Sequence, residues 1–343
     1  MSRKKPLPVL TVILFDLLGI AAMLGVFSLF QFGFQRGGSE PLQSIQSDAV
    51  ASPASVASTE PTQTPEPAGS PDPSATPEPT ATPVPGDFSA AFPQGDPEED
   101  GALGSYADDN LRVVVSEQHT DDATYYVADV WIRNIQGYKT AFAGGKYGGG
   151  YSLPSSMASN HSAILALSGD CYKARPEGIV IRNGNLYRDT ISGDVCILYA
   201  DGVMESYYES DFDLNAAIAR GAYQGWSFGP KLIDNGQVPA PYNTTDKIIG
   251  HNPRAAIGYY EPGHYCLVYV DGRQSDDSAG LTLNELSQIM IDLGCKDAYN
   301  LDGGQSSMMV FQGQVIGSPY KGGRDISDII YFATAIPNEE ASK

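Results

Sequence analysis

The chain has 343 residues, with 21 Lys and Arg against 41 Asp and Glu and a formal net charge of −20 at pH 7. That charge runs about +3 before Gly37, −11 from there to Gly104 and −12 beyond, so no polyanion is drawn in from a distance and nucleic acid is excluded as a partner. Four histidines and four cysteines (Cys171, Cys196, Cys266 and Cys295) lack metal-site spacing, and no metal or other cofactor is expected.

Residues 1–6 are a basic flank carrying Arg3, Lys4 and Lys5, and Leu7 to Phe34 is overwhelmingly apolar. At ~1.5 Å per residue that run reaches about 40 Å, enough for a bilayer core of roughly 30 Å. The flank predicts a cytoplasmic N-terminus, a single-pass signal anchor over residues 7–34 and an outward-facing remainder. A cleaved signal peptide fits less well, because no small-residue cleavage site precedes Gln35. Residues 35–104 then turn rich in Pro, Thr, Ser, Ala and acidic side chains, without Lys or Arg from Glu40 to Asp100. Such a composition predicts a disordered, solvated tether that holds the rest away from the membrane.

The folded part is expected over residues 105–337, with a short tail at 338–343. Apolar alternation predicts strands at Leu111–Val115, Tyr125–Ile132, Ile179–Arg182, Cys196–Tyr199 and Asp328–Phe332. Asn183-Gly184, Asp201-Gly202 and Asn235-Gly236 mark turns between segments of this kind. Leu214–Arg220 reads as a short helix. Tyr265–Val270 reads as a strand ending in the polar cluster Asp271-Gly272-Arg273-Gln274. A helix follows: Thr282 and Glu285 make a capping-box pair, Leu286, Ile289, Met290 and Leu293 recur at helical spacing, and Gly294 closes it. Next comes Tyr299-Asn300-Leu301-Asp302-Gly303-Gly304-Gln305-Ser306-Ser307, an apolar run that ends in a carboxylate, two glycines and two hydroxyls. If both strands run the same way in one sheet, Asp271, Arg273 and Asp302 share one rim, where α/β sheets bind ligands. The class is mixed α+β or α/β, a strand-rich single domain with few helices. The four cysteines allow three disulfide pairings or buried free thiols.

Three blocks together resemble the phosphodiester glycosidase family, whose members include the enzyme that removes N-acetylglucosamine from a mannose 6-phosphate diester. They are Ser168-Gly169-Asp170-Cys171-Tyr172 with Arg182-Asn183-Gly184 behind it, His251-Asn252-Pro253-Arg254 with Asp271-Gly272-Arg273-Gln274 behind it, and Asn300-Leu301-Asp302-Gly303-Gly304-Gln305-Ser306-Ser307. Arg324 stands in the place of a late arginine of the family. Ser168 and Gln305 depart from it, where asparagine and glycine are usual. The resemblance implies an extracytoplasmic hydrolase that cleaves the glycosidic bond of a sugar-1-phosphodiester, with a glycan or sugar phosphodiester as its partner molecule.

On that reading Arg254, Arg273 and Arg324 present planar forks to phosphate oxygens. Two carboxylates beside the anomeric carbon are the usual glycosidase arrangement, and Asp302 is the first candidate, with Asp170 second. Gly303 and Gly304 leave Asp302 open, and Ser306 and Ser307 are placed to orient it or a sugar hydroxyl. Asn300, His251, Ser227, Arg182 and Asp271 complete the candidate binding set. The competing reading is a surface glycan-binding or exopolysaccharide-assembly protein without turnover. A serine hydrolase using Ser306 or Ser307 is disfavoured, since a nucleophile elbow needs a second glycine that Met308 replaces.

Overall fold

The computed structural model describes residues 40–45, 86–95, 97, 101–274 and 278–333. The predicted anchor over 7–34 and most of the tether lie outside the described residues. Among the described residues no helix is long and apolar enough to cross a membrane. Those from Pro41 onward form one unit.

In chain order its first strands are β1 (Gln43–Ser44), β2 (Ala102–Ala107), β3 (Leu111–His119), β4 (Thr124–Ile132), β5 (Lys139–Phe142), β6 (Ala163–Ser168), β7 (Val180–Arg182), β8 (Asn185–Arg188) and β9 (Val195–Tyr199). Then follow β10 (Met204–Tyr207), β11 (Ala222–Trp226), β12 (Arg254–Glu261), β13 (His264–Val270), β14 (Asp297–Asn300), β15 (Met309–Phe311), β16 (Gln314–Ile316) and β17 (Asp328–Ala333). Four helices are described: α1 (Pro154–Asn160), α2 (Leu214–Ala219), α3 (Asp246–Ile249) and α4 (Leu283–Asp292). The strands form three sheets, ordered β1-β8-β7-β11-β9-β10, β14-β12-β13-β4-β3-β2 and β16-β15-β6-β17-β5.

Among the described residues every hydrogen-bonded strand pair is antiparallel, so the fold is α+β, and the α/β alternative, which needs adjacent parallel strands, is not met there. Local signals act as expected: Asn183 and Gly184 take φ of 50° and 75°, the two left-handed positions that close a tight hairpin. The Thr282–Glu285 capping box is formed at the start of α4. That helix lays Leu283, Leu286 and Met290 on Ala256, Val268 and Ala298 of the middle sheet. The main core draws Val113 and Val130 from the middle sheet, Leu198 and Trp226 from the first, and Leu167 and Phe332 from the third. Tyr138 sits among them with its ring centroid 5.0 Å from Phe332 and 5.2 Å from Tyr265. All four cysteines are buried free thiols, and the sulfurs of Cys266 and Cys295 lie 3.5 Å apart.

The fold also takes in pieces of the predicted tether. Leu42 and Ile45 donate backbone hydrogen bonds to Leu186 and Gly184 at 2.6 and 2.8 Å, and Ile45 is buried with Ile181 and Leu186. Phe88 and Phe92 are buried as well, and β2 begins at Ala102, ahead of residue 105. Averaged composition hides such residues because a single apolar side chain suffices where a finished core offers it a slot. Phe88 fills one of these. A Cβ on Gly202 would meet its ring at 2.5 Å, and one on Gly263 would meet its Cβ at 2.7 Å. Phe88→Ala is therefore expected to cost about 3–5 kcal/mol in urea unfolding; a loss under about 0.5 kcal/mol would mean that this segment does not pack on the domain.

Candidate functional site

The site follows from the place of one strand. β12 lies between β13 and β14 and runs antiparallel to both, with Arg254 opposite Val270 and Ala256 opposite Asn300. β13 and β14 therefore run the same way without touching, and their carboxyl ends meet the start of β12 at one edge. Asn252-Pro253 enters there between the two glycine turns. A Cβ on Gly272 would come within 2.7 Å of the Pro253 nitrogen, and side chains at Gly303 or Gly280 would strike the carbonyls of Pro253 and Asn252. The Gly304 N–H donates to the Pro253 carbonyl at 2.9 Å. Glycine is needed at these turns because another backbone occupies the space.

A cleft of about 400 Å³ opens over this junction, lined by Lys247, Arg254, Arg273 and Arg324 around one carboxylate, Asp302. Arg254 is buried, 2% exposed, and gives its Nε to Leu281 O at 2.8 Å and its Nη2 to the carbonyls of Gly250 and Ile249 at 2.5 and 3.3 Å. Among the described residues no carboxylate pairs with it and its Nη1 has no partner. Burial pulls its pKa down to about 10. Arg273 has a left-handed backbone, φ 58°, which costs a non-glycine residue about 1–2 kcal/mol. Its guanidinium is fixed by Asn252 Oδ1 at 2.7 Å and lies against Gly304. Asn252 in turn donates to the carbonyls of Lys247 and Gly250, both at 2.9 Å, tying α3 to the cleft. Arg324 donates from Nη2 to Asp302 at 3.1 Å and from Nε to Ser306 Oγ at 2.6 Å. Asn300, 1% exposed, donates to Gly229 O at 2.7 Å, while among the described residues its Oδ1 accepts nothing.

The model of the phosphodiester glycosidase family (NAGPA) matches residues 161–333, half of the chain and every residue just described. The chain belongs to the phosphodiester glycosidase family. The SPbeta prophage-derived uncharacterized protein YomE of Bacillus subtilis (strain 168) is 31% identical over 170 residues. Those are 47% of this chain, which spans about a quarter (26%) of that relative's length. Among solved structures, the zebrafish N-acetylglucosamine-1-phosphodiester alpha-N-acetylglucosaminidase catalytic domain, auto-inhibited by its pro-peptide, superposes with a TM-score of 0.51 at 20% identity, over 66% of this chain and 83% of that one. A hypothetical protein from Synechocystis gives 0.51 at 15% identity, over 65% and 62%. Both share the fold.

Within that family frame the remaining predicted residues take other places. Arg182 spends every donor inside the protein. Nε and Nη2 bind Asp328 Oδ2 at 3.2 and 2.8 Å, Nη2 also binds Asp170 Oδ1 at 2.8 Å, and Nη1 reaches the carbonyls of Ile181 and Gly225. Asp170 is thereby held below the cleft, its other oxygen taking the Ser227 N–H at 3.2 Å. Ser227 Oγ accepts from the Ile179 N–H at 2.8 Å. Asp271 accepts from the Tyr269 hydroxyl at 2.5 Å and the Ser318 N–H at 2.9 Å, which pins a neighbouring loop. His251 contacts Gly280 O at 2.9 Å, and Ser307 donates to Gly304 O at 3.0 Å; neither lines the cleft. Lys247 and Phe228, which do, were missed, as was Asp328. Thr245-Asp246 ahead of Lys247 is a helix-start signal that could have drawn attention to α3. Asp328 looks like any polar residue of a strand.

The Arg182 knot supports Asp302 from beneath. The Asp302 N–H donates to Gly169 O at 3.3 Å, and a Cβ on Gly169 would meet the Asp328 carboxyl at 2.6 Å. Burial raises Asp328 to about 6, against the pull of Arg182. Burial and then the Asp302 charge push the Cys171 thiol up to about 12. Arg182→Ala would leave two buried carboxylates uncompensated and is expected to cost about 3–5 kcal/mol at pH 7. Without the lowering effect of Arg182 the Asp328 carboxyl rises further above the unfolded value near 4, and such a group stabilises the fold below that pH and loses this as pH rises through the native value. The deficit against the native protein should therefore shrink between pH 7 and pH 5, as urea unfolding at both values will show; a deficit independent of pH contradicts the pairing.

Proposed function

We propose that this protein hydrolyses the glycosidic bond of a sugar-1-phosphodiester, such as an N-acetylglucosamine-1-phospho linkage in a surface glycan, releasing sugar and phosphomonoester. One observation carries the reading: in a protein of net charge −20, four cations and a single carboxylate among the described residues face one cleft. A phosphodiester brings one negative charge and leaves as a monoester carrying nearly two at neutral pH. Cations at Arg254, Arg273 and Lys247 therefore bind the transition state more tightly than the substrate, which is what lowers a barrier. The zebrafish relative is named for this type of reaction.

Asp302 is the carboxylate at the anomeric carbon. Arg324 and the Gly169 carbonyl hold it in place, and it takes a proton from the water whose oxygen bonds to C1. The C1–O bond to phosphate breaks, and its electron pair leaves with the phosphate. Such a leaving group needs little protonation, so a second carboxylate is not required in the cleft, and Asp170 acts by holding Arg182. Asn300 helps to wall the cleft, its amide donating to Gly229 O and its Oδ1 buried without a partner among the described residues; a buried acceptor left unpaired costs about 1–3 kcal/mol. The domain is taken to work outside the membrane on the strength of the apolar 7–34 run and its basic flank alone.

The test is to incubate the full chain in ¹⁸O water with a panel of sugar-1-phosphodiesters and read the products by mass spectrometry. Free sugar labelled at C1, unlabelled phosphomonoester, and a rate about 10²–10⁴-fold lower in folded Asp302→Asn are expected. Label in the phosphate would mean cleavage at phosphorus. Binding without any product would instead favour a glycan-binding role.

A further inference from the structure

Tyr151 is 50% exposed, and it follows the glycine-rich stretch Gly144–Gly150, where Gly144, Gly145, Gly148 and Gly150 all have positive φ. The stretch is nevertheless fixed. The Gly148 N–H donates to the Tyr172 hydroxyl at 2.9 Å, Tyr147 stacks on Tyr172 and Tyr187 at 5.0 and 5.3 Å, and Ser152 exchanges two 2.9 Å backbone hydrogen bonds with Ile326. The Lys173 ammonium lies 4.7 Å from the Tyr151 ring centroid and donates to Gly148 O at 3.1 Å.

These ties set Tyr151 between two segments that reach Asp302. On one side Ile326 is two residues from Arg324, which holds Asp302 at 3.1 Å. On the other, Tyr172 and Lys173 follow Cys171, two residues beyond Gly169, whose carbonyl accepts the Asp302 N–H at 3.3 Å. The phosphate-binding cations Arg254, Arg273 and Lys247 belong to the other elements of the site, α3, the start of β12 and the turn after β13. Asp302 thus has cations for a phosphate within its cleft and, beside the Ile326 and Cys171 segments that adjoin its Arg324 and Gly169 partners, a fixed, exposed aromatic ring. An aromatic face favours the C–H face of a sugar ring, and an ammonium beside it favours sugar hydroxyls.

Resting on the function proposed above, we propose that Tyr151 and Lys173 form the sugar-side subsite, which selects a pyranosyl ring attached to the phosphate over an acyclic polyol. Tyr151 packs on the apolar face of the ring, and Lys173 donates to one of its hydroxyls.

The test is calorimetric titration of the full chain with N-acetylglucosamine 1-phosphate, glycerol 1-phosphate and inorganic phosphate. Native protein should prefer the sugar phosphate over both other probes. Tyr151→Ala should cut that preference about tenfold with inorganic phosphate binding unchanged, and Tyr151→Phe should restore it. Lys173→Met should weaken only the sugar phosphate. A preference unaltered in Tyr151→Ala, or an equal loss for all three probes, overturns the subsite whether or not the protein shows turnover. A Tyr151-dependent preference in a protein that cleaves nothing would keep the subsite and remove the hydrolase reading.

Discussion

The site depends on one steric constraint, the passage of the Asn252–Pro253 backbone between the turns that end β13 and β14. The turns approach it so closely that Gly272, Gly280 and Gly303 have no room for a side chain. This crowding brings Arg254, Arg273 and Asp302 to one edge although 48 residues separate the first from the last in the chain. It also explains why two Asp-Gly pairs occur at equivalent strand ends. They are junction turns around a third segment, and their aspartates have diverged in use. Asp302 faces the cleft, whereas Asp271 is consumed by Tyr269 and Ser318.

Charge is handled in two opposite ways within a short distance. Arg182 is buried and fully matched by Asp170 and Asp328, so it is neutralised and works as a fastener. Arg254 is equally buried and donates only to backbone carbonyls among the described residues. A buried cation with no carboxylate in direct contact is unfavourable by itself, and the cost falls when an anion enters. The fold thus keeps unspent positive charge at the cleft beside Asp302. The surrounding acidic surface makes this a local trap, without long-range attraction for polyanions.

Much of the architecture was legible in the sequence because local signals agreed with it. Alternation marks β3, β4, β9 and β17, Asn183-Gly184 marks a hairpin, and Thr282 with Glu285 marks the start of α4. The glycine turns and Asn252-Pro253-Arg254 mark the junction itself. Polar residues at strand ends are where reading stopped. Asp170, Arg182 and Ser227 look the same in sequence as Asp302 and Arg254, and only the three-sheet packing decides which of them neutralise one another. Lys247 was hidden in a four-residue helix, and Ile45 and Phe88 in a stretch whose average composition resembles disorder. The antiparallel order with β12 in the middle was also out of reach, since a helix between two strands reads equally well as a parallel crossover.

The most direct measurement is a crystal structure of the full chain with a non-hydrolysable sugar-1-phosphonate ester. The account predicts phosphonate oxygens within hydrogen-bond distance of Arg254 and Arg273, Asp302 facing the anomeric carbon, and the Arg182 knot unchanged below. A ligand whose phosphonate avoids Arg254, or whose anomeric carbon lies away from Asp302, would contradict it.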